Sequence, residues 1–317
     1  MRGFFYNFDR DPEGKILKEI LSKTFKEADL KGADVVFVYV DLDFKICLNF
    51  LRESRDKFRV VLIDSLYERF PLRELSLMER LKKWWKYRFL DKIFEEGANI
   101  YFVGDDNSGI DVIAEKFSIN YNLIYPSKFV NSLSDKVSTR KKLGIPVNGV
   151  YVGYVCFPTE EFGFDILREI YTLSKGVFKV LIYPLAYKDR VYKLSEDLKG
   201  KVFISEDFLD FLSAVDVMMF PYRFGGCGKY LINSISLGIP VVSFKGHCAD
   251  RIIKHGWNGF IAENFSIEEF SHYLVLLSND PILRETLSKN CLSYSYSFPT
   301  IEEKASFIVQ WTVSAMQ

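Results

Sequence analysis

The stretch from Val217 to Ala262, VMMFPYRFGGCGKYLINSISLGIPVVSFKGHCADRIIKHGWNGFIA, leaves this chain few ways to fold. Val217 to Phe220 is a short apolar run closed by Pro221, the composition of a buried strand. Gly225, Gly226 and Gly228 then crowd one turn just ahead of the helical run Lys229 to Leu237. Gly238 stops that helix, Pro240 opens the next segment, and Val241 to Phe244 supply a second strand. Glycine lets backbone N–H groups approach an anion, and the following helix aims the positive end of its dipole at the same point. The turn therefore predicts a phosphate site. Arg223 and Lys229 flank it, the N–H groups of Gly226, Cys227 and Gly228 face the oxygens, and a glycine turn with no ligand is the plain structural alternative.

The rest of the chain repeats this alternation. Strands are expected at Arg2 to Phe8, Asp34 to Val40, Arg59 to Ile63, Ile100 to Val103 and Leu123 to Pro126. Helical spacing appears at Lys15 to Glu27 and Ile110 to Phe117. A second series starts at Ser138, with strands at Val150 to Val155, Lys179 to Tyr183 and Val202 to Ser205 and helices at Ile166 to Leu173 and Asp207 to Ala214. Helices Ser266 to Leu277, Ile282 to Ser288 and Thr300 to Val313 close it. Strands alternating with helices form parallel sheets, and at 317 residues two α/β domains are expected.

Net charge is zero, with 42 basic and 42 acidic residues, so no field recruits nucleic acid. Five scattered cysteines without a C-x-x-C pair fit a reducing cytoplasm, and three histidines at 247, 255 and 272 do not have metal spacing, so no metal is expected. MRGFFYNFDRDPEG turns polar too early for a signal peptide, and no apolar run reaches membrane-span length. Leu66 to Glu96 mixes Arg69, Arg73, Arg80, Lys82, Lys83, Lys86 and Arg88 with Trp84, Trp85, Tyr87 and Phe89. An amphipathic helix packed on a sheet fits this best, and a peripheral membrane or acceptor contact is the alternative. Neither a G-x-S-x-G nor a G-x-G-x-x-G turn is present, which disfavours a serine hydrolase or a nicotinamide dehydrogenase.

Gly238, Pro240, Val241 and Val242, then Gly246, Asp250, Gly256, Asn258, Gly259 and Phe260, resemble the donor-binding segment of a known family. That family is the retaining nucleotide-sugar glycosyltransferases with a GT-B fold, family four or glycosyl transferases group 1. Its motif carries two glutamates, at whose places this chain has Gly225 and Asn233. An arginine and a lysine that clamp the donor diphosphate in the family fall here on Tyr154 and Phe162.

The resemblance implies two Rossmann-like domains facing each other across a cleft: an acceptor domain over 1–130, a donor domain over 138–299, and a terminal helix over 300–317 that crosses back to the first. It implies transfer of a sugar from a nucleoside diphosphate to a glycan, lipid or protein hydroxyl, with retention and with no cofactor beyond the nucleotide-sugar co-substrate. The donor is expected on Arg223, Gly225, Gly226, Cys227, Gly228, Lys229, Tyr230 and Asn233, with Lys188 and Arg190 replacing some lost charge and Ser205 against the base. Asp64 and Asn233 are the expected catalytic-site groups. Gly14, Lys15 and Asp41 are expected in the first domain's share of the cleft, with helix starts and caps as the plainer use of Gly14 and Asp64. The missing acidic pair favours a second reading, a GT-B module that binds a nucleotide, glycan or protein without catalysis.

Overall fold

The structure, a computed structural model, describes residues 1–6, 8–10, 12–40, 44–64, 88, 91–96, 99–103, 121–124, 127–185, 187–198, 200–223, 228–246 and 249–317, with backbone alone at 44–46, 64, 101–103, 121–124, 161 and 264. It forms two compact units, Met1–Phe129 with Pro299–Gln317, and Val130–Phe298.

The first unit is built on a six-stranded sheet: β1 (Arg2–Tyr6), β2 (Lys26–Glu27), β3 (Val35–Val40), β4 (Phe58–Asp64), β5 (Asn99–Val103) and β6 (Tyr121–Ile124). All pairings are parallel, in the order β2-β1-β3-β4-β5-β6. Every residue of β3 is buried, as in a parallel sheet covered on both faces. Its pleat divides the core. Val36, Val38 and Val40 pack with Cys47, Leu48 and Leu51 of the helix α2 (Phe44–Glu53). Phe37 faces the other way, stacked on Phe5 at 5.1 Å with Phe25 edge-on at 5.0 Å.

Two expectations change here. The first strand ends at Tyr6 and a 3-10 turn, Phe8–Arg10, follows. The next helix, α1 (Pro12–Leu21), starts at the proline, whose fixed φ suits a first helical position, and it stops early enough for Lys26–Glu27 to join the sheet edge. The expected helix Ile110 to Phe117, and all of 66–96 except Arg88 and 91–96, lie outside the described residues.

The second unit carries β7 (Tyr151–Cys156), β8 (Lys179–Pro184), β9 (Val202–Ile204), β10 (Val217–Phe220), β11 (Val241–Phe244) and β12 (Gly259–Ala262). These are again all parallel, in the order β12-β11-β10-β7-β8-β9. The helix α3 (Lys136–Lys142) precedes them, α4 (Leu167–Leu173), α5 (Lys188–Asp197), α6 (Phe208–Ala214), α7 (Gly228–Ser236) and α8 (Ala249–Ile252) run between them, and α9 (Ile267–Asn279) and α10 (Pro281–Tyr294) follow. Lys188 and Arg190, expected to replace some of the lost charge, both lie on the first turn of α5. Asp216 fastens the amino ends of the strands. Its carboxylate takes Lys136 and Arg140 at 2.6 Å each and the Tyr151 N–H at 2.8 Å.

The last helix, α11 (Ile301–Met316), begins with a Thr300/Glu303 capping box and packs on α1 in the first unit. Lys304 on α11 meets Glu13 on α1 at 2.6 Å, both essentially without solvent, and Ser127 donates to the same Glu13 oxygen at 2.9 Å. Among the described residues no helix is long and apolar enough to cross a membrane.

Candidate functional site

Sheets wound in both directions bind ligands beyond the carboxyl ends of their strands, where the strand order reverses. In the second unit that point lies between β7 and β10, because the chain builds outward to β9 on one side and to β12 on the other. The two segments leaving these strands are Phe157–Asp165 and the start of the glycine turn, Pro221–Arg223.

These segments interlock. The Tyr154 hydroxyl donates to Phe162 O at 2.7 Å, and the Tyr222 hydroxyl to Val155 O at 2.5 Å. The Phe162 and Tyr222 rings meet at 4.6 Å, with Phe157 5.6 Å from Phe162. Gly163 sits at φ 73°, and a Cβ there would collide with the Pro221 carbonyl oxygen, so only glycine allows the two segments to approach. Arg223 spans the gap: it donates to Asp165 at 2.7 and 2.8 Å and to Glu160 O at 2.7 Å. The hydrogen bond to Asp165 pushes its pKa up against the opposing effect of burial. Thr159 Oγ1 is buried in this loop with no hydrogen-bond partner among the described residues. Cys156, at the end of β7, has its pKa pushed up to about 12 by burial and stays a thiol at neutral pH.

The expected donor residues fare differently. Gly225, Gly226 and Cys227 lie outside the described residues, and Gly228 opens α7. Lys229 is largely buried on the first turn of α7, its ammonium 5.2 Å from the Tyr230 ring centre. Tyr230, expected as a donor contact, is buried and packs edge-on against Phe208 at 5.5 Å.

Asn233, expected in the catalytic site, has both ends of its amide engaged with main chain. Its side chain is fully buried, with Oδ1 accepting the Val130 N–H at 3.0 Å and Nδ2 donating to Lys229 O at 2.7 Å, so the amide ties the segment before α3 to α7. Ser205 is buried and its hydroxyl donates to Asp207 O at 2.9 Å, just ahead of α6. Lys188 pairs with Glu206 at 2.6 Å on the surface, and Arg190 lies 5.7 Å over the Phe164 ring. Arg223, expected to stand ready for a phosphate, already holds a carboxylate.

The downstream motif is scaffold. Asn258 Oδ1 accepts the Lys254 N–H at 2.8 Å and its Nδ2 donates to Ile252 O at 3.1 Å, while a Cβ at Gly259 would strike the Val241 carbonyl. Asp250 accepts the Gly246 N–H at 2.7 Å. In the first unit, the order reverses between β1 and β3. Gly14 is buried in α1, Lys15 is exposed on it, Asp41 lies outside the described residues, and Asp64 closes β4 with its side chain outside them. Sequence reasoning missed Thr159, Asp165 and Tyr187; their one signal is that each lies in the segment that leaves β7 or β8 at its carboxyl end.

Residues 184–292 match the family model described as glycosyl transferases group 1. A lipopolysaccharide core biosynthesis glycosyltransferase, LpsE of Rhizobium meliloti, is 28% identical over 155 residues, which are 47% of this chain and 46% of LpsE. An O-antigen biosynthesis glycosyltransferase, WclY of Escherichia coli, is 28% identical over 42% of each chain. The chain thus spans under half the length of these curated relatives. Among solved structures, WaaG, a glycosyltransferase involved in lipopolysaccharide biosynthesis, superposes with TM-score 0.69 at 16% identity over 97% of this chain and 99% of its own. Anabaena HepE, in complex with UDP and glucose, gives 0.66 at 14% identity over 99% of both chains. Residues 184–292 of the second unit thus match the glycosyl transferases group 1 model, and the two parallel sheets have the GT-B fold seen in WaaG and HepE.

Proposed function

We propose that the protein transfers a hexosyl group from a nucleoside diphosphate-sugar to an acceptor hydroxyl with retention, without a metal. The observation that supports this is the strand reversal between β7 and β10, the kind of place where such sheets take ligands, with β10 and α7 both inside the family-matched residues. The bond between the anomeric carbon and the β-phosphate oxygen breaks, and the acceptor oxygen bonds to that carbon on the same face. The acceptor's proton passes to a diphosphate oxygen, and the nucleoside diphosphate leaves. Lys229, the N–H groups of 226–228 and the start of α7 hold the departing charge. Arg223 joins them by sharing its guanidinium between Asp165 and a phosphate. The first unit, through Gly14, Lys15, Asp41 and Asp64, presents the acceptor. HepE's complexes with UDP support a uridine nucleotide, and the named roles of LpsE, WclY and WaaG support a lipopolysaccharide- or O-antigen-type acceptor; the mixture of basic and aromatic residues in 66–96 supports a peripheral membrane contact.

A second reading, a nucleotide- or glycan-binding module without catalysis, is favoured by the Arg223–Asp165 pair and by the absence of family charges at Tyr154 and Phe162. Titration with UDP, GDP and ADP, followed by assay of sugar release from the matching donor, separates the two. Binding with slow release of free sugar supports the transferase; binding without turnover supports the module. Lys229→Ala is expected to weaken diphosphate binding about tenfold, and unchanged affinity in both Lys229→Ala and Arg223→Ala, folded by circular dichroism, rejects the site.

A further inference from the structure

Tyr187 is the residue of this edge that the fold does not explain. The chain leaving β8 turns toward β7, with the Leu185 N–H donating to Cys156 O at 2.8 Å. Two residues later, Tyr187 adopts φ 48° and ψ 48° as the residue that starts α5, and its side chain makes no capping hydrogen bond. A side chain with a Cβ is strained in the left-handed region, where glycine or asparagine is at ease, and serine, threonine or aspartate would cap the helix better. Nor does the ring fill the core. It is 64% exposed, and its ring contact is a T-shaped one with Phe157 at 5.4 Å. A strained, exposed aromatic that neither caps nor packs is the kind of residue held for a ligand.

Its surroundings say which kind. Phe157 joins it to the aromatic row Phe157, Phe162 and Tyr222 over the ends of β7 and β10. Two of the cations at that edge are already paired, Arg223 with Asp165 and Lys188 with Glu206, and Arg190 lies over the Phe164 ring. An anionic group gains less from such partly occupied cations than a flat ring gains from the exposed Tyr187 face.

We propose that the Tyr187 ring is a stacking platform for the base of the donor nucleotide, so that this protein recognises its donor more through the base than through the diphosphate. The proposal rests on the donor reading above and adds a residue and an energetic preference to it. Base–aromatic stacking typically accounts for a tenfold change or more when the aromatic is removed.

The test is calorimetric titration of the full chain with UDP and UMP, with GDP/GMP and ADP/AMP as the further pairs. In wild type the diphosphate is expected to bind less than about tenfold tighter than its monophosphate. Tyr187→Gly, which suits φ 48°, is expected to melt at or above the wild-type temperature and yet bind both nucleotides about tenfold more weakly. Tyr187→Phe stays within about twofold, and Tyr187→Trp shows indole quenching on nucleotide addition. If a nucleotide binds and Tyr187→Gly keeps its affinity within twofold, the stacking platform is wrong while the donor reading stands. If Lys229→Ala abolishes binding and the monophosphate binds a hundredfold more weakly than the diphosphate, the preference for the base is wrong. If no nucleotide binds wild type, the donor reading fails and the platform with it.

Discussion

Lys304→Met tests how the first unit is held together. The Lys304 ammonium lies 2.6 Å from a Glu13 oxygen, with side chains 1% and 0% exposed, so neither charge has water to fall back on. Methionine keeps most of the lysine stem and its packing while removing the charge. What remains is a buried carboxylate that accepts from the Ser127 hydroxyl at 2.9 Å and, weakly, from the Tyr39 hydroxyl at 3.5 Å. Removing one member of a buried ion pair costs about 3–5 kcal/mol. In a unit of roughly 150 residues each kcal/mol lowers the melting temperature by about 2–4 °C, so a fall of about 6–20 °C is expected. Urea unfolding followed by far-UV circular dichroism and by tryptophan fluorescence reads this out, since Trp311 sits on α11 itself. The double variant Glu13→Gln/Lys304→Met should regain most of the loss, because no charge is then stranded and Gln can still accept from Ser127. A loss below about 1 kcal/mol in Lys304→Met, or a double variant no better than the single, refutes the account.

Gly163→Ala should be among the most damaging single methyl additions in the second unit. It meets both a left-handed backbone and the Pro221 carbonyl, so a loss of more than about 2 kcal/mol is expected in denaturant, together with loss of nucleotide binding. Asp216 gives the second unit an acid dependence. Burial works to raise its pKa, but Lys136, the Tyr151 N–H and Arg140 outweigh burial and hold it below the ordinary carboxylate value of 3.8. A depressed carboxylate stabilises the fold fully above its unfolded pKa and loses that contribution as pH falls through the folded one, so wild type should weaken below about pH 4. Asp216→Asn should be less stable at pH 7 and show a shallower acid limb; an identical limb removes Asp216 as its source. Asn233→Ala should cost about 2–3 kcal/mol by stranding the Val130 N–H, and a nucleotide-binding defect with unchanged stability would return Asn233 to the donor site.

Much of this architecture is legible locally. Apolar runs such as VVFVYV and VMMF, with no polar face, have to lie inside a parallel sheet, and Gly238-Ile239-Pro240 marks where a helix gives way to a strand. The family signature could be read because it is written in backbone-determining residues: Gly259 is needed where a Cβ would meet Val241, and Asn258 holds the turn after α8 through Lys254 N–H and Ile252 O. Such requirements act over a few residues and leave their mark in order along the chain. Charge pairing and burial do not. That Arg223 answers Asp165 fifty-eight residues away, that Asn233 spends its amide on Val130, that Lys304 finds Glu13 across 291 residues, and that Tyr187 is left strained and exposed are outcomes of which surfaces the folded sheets bring together. A side chain's reach is a few ångströms in space and has no fixed reach in sequence, so its partner exists only once the chain has folded.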